Sequence, residues 1–162
     1  MRVNLLESVI SENDKKVLKY LKKMDIIKYL DNENYCVEFY FEENEYFENE
    51  KLVVSVHIDD DDDYDLNIEE IRGELIEWKP NKNYLVNIVN GEEKRMANSF
   101  FWFFKSFKAV DFENNDDEEC IEYDMDDLSD RSLFFVSKDI AGIFRDYFFV
   151  YLIPSVYGVE IP

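Results

Sequence analysis

The chain is short of the residues that usually mark chemistry. Its 162 residues include one histidine, two cysteines, four glycines and three prolines, with only 18 lysines and arginines against 38 aspartates and glutamates. Cys36 and Cys120 make neither a disulfide framework nor a zinc-ligand spacing, and they fit a reducing compartment. Cys36 lies in a strand-like run and reads as a small packing residue; Cys120 is incidental. Four glycines leave no Gly-rich phosphate loop, and no G-x-S-x-G elbow occurs. The lone histidine, His57, sits in another strand-like stretch, where an ordinary sheet residue is commoner than a general base. An enzyme would have to be built around it, and none is expected; nor is a cofactor. No apolar run approaches the ~20 residues of a membrane-spanning helix. No charged-then-apolar leader opens the chain, so the expectation is a soluble intracellular protein. The shortage of cations leaves a net charge of −20 and a pI near 4.3. Such a chain repels nucleic acid and anionic membrane surfaces and attracts basic proteins.

Aromatics and acids are abundant instead. Fourteen Phe, eleven Tyr and an apolar fraction of 46% exclude wholesale disorder and supply a core for a single domain spanning 1–162. The acids are concentrated in two runs, DDDDDYDLNIEE at 59–70 and DFENNDDEECIEYDMDDLSD at 111–130, which together hold nineteen of the 38 and no lysine or arginine. Carboxylates packed this densely cannot be folded inward, because each would lose its hydration without gaining a partner. They face water or a cationic partner; solvated loops that keep the chain soluble are the bland alternative. Asp59, Asp61, Asp63, Asp65, Asn67 and Glu70 fall on the ligand positions of an EF-hand loop. Tyr64 occupies the position where that loop needs glycine, and the flanks read as strands where helices are required, so no metal site is assigned.

Taken in order, residues 1–30 read as helical. Leu5, Leu6, Val9 and Ile10 form one stripe, Val17, Leu18, Leu21 and Met24 another, and Ser11 with Asp14 forms a capping box that starts a second helix near residue 11. Lys15, Lys16, Lys19, Lys22 and Lys23 read as its solvated face. From Tyr35 the period becomes two, giving strands at 35–41 and 52–58, joined by a loop that Tyr46 and Phe47 plug onto the core. A hairpin follows, with arms at Leu75–Trp78 and Tyr84–Val89 and its turn at Pro80, Asn81 and Lys82. The antiparallel sheet thus spans 35–90 with four strands. Ser99 caps an aromatic helix over 99–108, an acidic loop occupies 111–130, and a last helix runs over 137–153 with Ser137 as its cap. The fold class is α+β, a four-stranded antiparallel sheet packed on helices.

Five of these segments, in the same order, resemble the nucleosome assembly protein family. They are LLESVISENDKKVLKYLKKM, VEFYFEENEYFENEKLVVSV with its NEYF turn, GELIEWKPNKNY with Trp78, NSFFWFFKSF before the acidic loop, and DIAGIFRDYFFVYLIPSVYGVEI at the close. The resemblance implies a histone chaperone, nuclear and cytoplasmic, that binds core histones through an acidic surface, assists nucleosome assembly and disassembly, and hydrolyses nothing. The surface would be Asp59, Asp60, Asp61, Asp62, Asp63, Asp65, Asp116, Asp117, Glu118, Glu119, Asp124, Asp126 and Asp127. No direct contact with nucleic acid or membrane is expected. Compared with the family the chain reads as a short member, without the long N-terminal dimerisation helix or an acidic tail, and with the basic insertion after the hairpin reduced to Lys94 and Arg95. Homodimer formation is left to the short first helix or an edge strand. The alternative is an acidic regulator or escort of another basic protein, an enzyme or a ribosomal protein.

Overall fold

The structure is a computed structural model in which residues 7–29, 34–59, 68–96, 98–112 and 128–147 are described. Helix α1, Glu12–Leu18, begins where the sequence places it. The Asp14 amide donates to the Ser11 hydroxyl at 3.1 Å and the Ser11 amide donates to the Asp14 carboxylate at 2.8 Å, the reciprocal capping box. The helix does not continue. Leu21–Lys28 is strand β1, so the helical reading of 1–30 is corrected there. Leu18, Leu21 and Met24 have helical spacing, but in β1 Met24 lies opposite Phe39 and Ile26 opposite Val37, and a full ladder beside the core outweighs local periodicity.

Strand β2, Tyr35–Phe41, and strand β3, Lys51–Ile58, follow the alternation read from the sequence. The third strand of the sheet does not. Strand β4 is Ile68–Gly73, inside the end of the first acidic run, whereas residues 75–78 form a loop with one isolated bridge between Trp78 and Phe47. The hairpin is also displaced, to β5, Val86–Val89, and β6, Glu92–Arg95. Its turn is Asn90 and Gly91, both at positive φ (54° and 79°), the primed geometry whose twist matches the strands it joins. Strand β7, Phe107–Lys108, completes a five-stranded antiparallel sheet of order β1-β2-β3-β4-β7, one strand more than expected, beside the separate β5–β6 ribbon.

One face of the sheet carries the core. Val37, Phe39, Phe41, Leu52, Val54, Val56 and Ile71 are all buried on it. Ser99 caps the aromatic turn as read, but that turn is a short 3₁₀ helix, Phe100–Phe104, which gives way to β7 rather than a helix over 99–108. All five of its aromatic residues are buried, and Phe39 meets Phe100, Phe104 and Phe144 edge-on at 5.8, 5.3 and 5.7 Å. Phe144 belongs to helix α2, Asp130–Tyr147, which starts seven residues before the expected 137. Ser137 is therefore buried within the helix; the Ser129 carbonyl and hydroxyl receive its first amides, from Leu133 and Ser132. The expected continuation to 153 lies outside the described residues. Gly73 ends β4 so close beneath the 3₁₀ helix that a Cβ there would sit 1.7 Å from the Phe104 carbonyl oxygen, a contact only glycine permits.

Candidate functional site

Phe47 turns the β2–β3 connection into a fixed structure. It is 2% exposed and packs edge-on against Phe41 at 5.0 Å and Trp78 at 5.8 Å. Asn44 accepts from the amides of Tyr46 and Phe47 and donates to the Glu42 carbonyl, and Lys79 Nζ donates to the Asn44 carbonyl at 2.6 Å. Tyr46 is only half-buried. Glu42, Glu43, Glu45, Glu48 and Glu50 stand exposed around this plug, with Glu74 and Glu77 on the neighbouring loop. The sequence reading did not single out these acids, because they are interleaved with buried residues instead of forming a run.

A second polar anchor lies beneath the sheet. The Asp14 carboxylate is wholly buried and accepts four hydrogen bonds: from the Tyr84 hydroxyl at 2.6 Å, the Ser99 hydroxyl at 2.5 Å, and the amides of Ser11 and Phe100 at 2.8 and 2.9 Å. It ties α1 to the segment before the hairpin and to the aromatic turn. Burial and this carboxylate both push the Tyr84 hydroxyl well above its ordinary range.

The open face of the sheet is neutralised from within. Lys23 pairs with Asp25 at 2.8 Å, Lys51 with Glu38 at 3.3 Å and Arg72 with Glu70 at 2.8 Å. Tyr40 donates to Glu38, which pushes its hydroxyl up to about 12, while Lys23 and Lys51 stand near its ring at 4.9 and 5.8 Å. Arg72 holds the Glu70 carboxyl below its usual range, and hydrogen bonds from Tyr40 and Lys51 do the same for Glu38. These three carboxylates of the open face are therefore each matched by a cation.

Of the thirteen site residues read from the sequence, Asp59 is described, half-exposed just past β3. Asp60 to Asp63, Asp65, Asp116, Asp117, Glu118, Glu119, Asp124, Asp126 and Asp127 lie outside the described residues, as does Cys120. The segments on which both runs are mounted are defined. Ile58 pairs with Ile68 at the roots of the first run, and Ile58 N–H donates to the Asn34 side-chain oxygen at 2.8 Å. Lys108 pairs with Glu70, two residues from Ile68, so β7 delivers the chain to the same end of the sheet before the second run begins. There Phe112 stacks on Phe134 of α2 at 5.0 Å. On its return, the Leu128 carbonyl accepts from Arg95 at 2.6 Å, and Asp130 pairs with the same guanidinium at 2.5 Å. Asp111 belongs to a 3₁₀ turn and Asp130 to α2, so the ends of the 111–130 segment are ordered structure rather than loop. Phe112, Leu128 and Arg95, which fix those ends, were not legible as site-building residues because their partners are distant in sequence.

His57 lies opposite Glu70 in the sheet, its Nδ1 3.5 Å from the Asn34 amide nitrogen. Among the described residues no cluster of histidine, cysteine and carboxylate could hold a metal ion, and no helix is long and apolar enough to cross a membrane.

The family model described as Nucleosome assembly protein (NAP) matches residues 1–146. Nucleosome assembly protein 1;1 of Oryza sativa subsp. japonica is 31% identical over 141 residues, covering 79% of this chain and 36% of that protein. Nucleosome assembly protein 1;4 of Nicotiana tabacum is 35% identical over 118 residues, 65% of this chain and 33% of its own length. The chain thus spans about a third of the curated relatives it matches. Among solved structures, Nucleosome Assembly Protein 1 from Plasmodium knowlesi superposes with a TM-score of 0.63 at 20% identity, over 98% of this chain and 64% of that one, a likeness of fold. With the family pattern matched over nearly its whole length, the chain belongs to the nucleosome assembly protein family.

Proposed function

We propose that this chain is a histone chaperone whose working surface is formed by the acids of the two runs, Asp59 to Asp63 and Asp65 with Asp116, Asp117, Glu118, Glu119, Asp124, Asp126 and Asp127. The observation that carries the reading is that the first acidic run is rooted at the Ile58–Ile68 pair and the chain enters the second from β7 beside the neighbouring Glu70–Lys108 pair. Family membership supports the partner class, and a net charge of −20 supports its sign. Core histones carry dense lysine and arginine that otherwise bind DNA phosphates or aggregate. A competing anionic surface shields them reversibly. Carboxylates meeting cations across a wet interface contribute about 0.2–1 kcal/mol each, so many are needed and the complex stays exchangeable. The chain performs no hydrolysis, does not itself grip DNA, and works in the nucleus and the cytoplasm.

The test is a competition. Labelled chain is titrated with core histones, and with a ribosomal protein of matched positive charge, at about 150 mM salt, where long-range attraction is screened. The histone reading requires histones to win clearly and their affinity to fall as salt rises. Equal or tighter binding of the ribosomal protein would move the function to an escort or regulator of another basic protein.

A further inference from the structure

The outer edge of the sheet is charged opposite to the rest of the molecule. Between Lys15 and Lys28 the chain places six lysines and one acid; of these Lys22, Lys23, Lys28 and Asp25 belong to the edge strand itself, a local charge of +2 within a total of −20, with Lys23 paired to Asp25. Strand β1 lies in this stretch and is the terminal strand of the sheet, with β2 as its one neighbour among the described strands. A terminal strand presents a row of amide and carbonyl groups to solvent, which an extended polypeptide can pair with and a nucleic acid cannot. The side chains match that role. Met24 and Ile26 pack against the core but are only partly buried, although their cross-strand partners Phe39 and Val37 are 2% and 0% exposed, so each keeps some apolar surface at this edge. Lys22 and Lys23 are exposed at one end of the strand, and Ile27 is 43% exposed near the other.

We infer that β1 is a docking edge for an extended acidic segment of a partner protein. The segment adds a sixth strand, lays apolar side chains over Met24 and Ile26, and sets carboxylates against Lys22 and Lys23. Lysines along an edge also discourage indiscriminate strand pairing. Here the same cations admit an acidic strand and turn away a basic one, including histone tails. This inference is independent of the histone reading, whose proposed surface lies with the acidic runs; basic and acidic partners would then occupy different places on one molecule.

The test uses the full chain and three synthetic peptides of about nine residues: alternating apolar residues flanked by glutamates, the same composition interrupted by a central proline, and a lysine-flanked version. The acidic peptide is expected to bind with an affinity that falls with salt and to slow amide hydrogen exchange in β1. The proline and lysine peptides, and the acidic peptide on the Lys22→Glu/Lys23→Glu variant, are expected to bind about tenfold more weakly or worse. An unchanged far-UV spectrum shows that this variant is folded. Equal binding of the proline peptide would reduce the effect to unspecific attraction, and unaltered binding by the variant would remove the edge from it. Sedimentation at twice the chain mass, falling to one in the variant, would give the edge to a second copy; any of these three results, or no binding at all, overturns the assignment.

Discussion

Asp14 shows how one side chain can hold three segments together. The sequence marks it as half of a capping box, and that half is correct. Its other partners, Tyr84, Ser99 and the Phe100 amide, come from 70 to 86 residues away and have no local signature. Asp14→Ala leaves two hydroxyls and two amides without an acceptor in the interior, a loss of roughly 3 kcal/mol or more. Asp14→Asn should be nearly as costly, because its NH₂ would face donors. Urea denaturation followed by circular dichroism checks both. The buried tyrosines set the alkaline limit of the fold. Burial raises the Tyr35 hydroxyl, and burial together with Asp14 raises that of Tyr84, above the ordinary value of 10.0. A folded-state value above the unfolded one means that the stabilisation is complete below about pH 10 and declines as pH climbs further. The decline is about 1.4 kcal/mol per pH unit for each tyrosine. Urea midpoints between pH 8 and 11 should therefore hold steady and then fall. Tyr84→Phe should lower stability at pH 8 but flatten the alkaline limb.

At the scale of elements, the central strands β2 and β3 were legible because one of their faces is buried and the alternation is clean. The strands that were missed share a different physics. Strand β1 is an edge strand whose register shifts between Leu21 and Lys23, so its residues do not alternate strictly. In β4 the wholly buried residues are Ile68 and Ile71, three apart, because the β3–β4 register slips between His57 and Ile58. Strand β6, Glu92–Arg95, consists of charged residues alone and shows no hydrophobic pattern. The Asn90-Gly91 turn before it was the available signal. Helix α2 was placed but begun too late, since Ser129 and Asp130 look like the end of an acidic loop. Gly73 gives the test at this scale. A methyl group there must displace the Phe104 backbone, so Gly73→Ala should cost about 3 kcal/mol or more and loosen β4 from the aromatic turn. A lowered melting temperature, with loss of near-ultraviolet aromatic dichroism, is the expected result. Gly142, which has open space where a Cβ would go, serves as a control and should accept alanine without loss.

For the whole molecule, composition alone sets the sign of the partner expected of the acidic surface, because a net charge of −20 survives any arrangement of the chain. What composition could not indicate was where that charge collects. The carboxylates of the open sheet face are paired, the glutamates around Phe47 gather at one end of the strands, and the chain enters both acidic runs from the other, the second returning at Arg95 of β6. That division depends on register and on long-range pairs such as Phe112 with Phe134, which local periodicity does not encode. The most direct measurement is the affinity for core histones of a variant in which Asp116, Asp117, Glu118, Glu119, Asp124, Asp126 and Asp127 are replaced by Asn or Gln. With each carboxylate contributing about 0.2–1 kcal/mol, binding at near-physiological salt should weaken at least tenfold while the circular dichroism spectrum and melting temperature stay those of the parent. Undiminished histone binding by the folded variant would contradict the account.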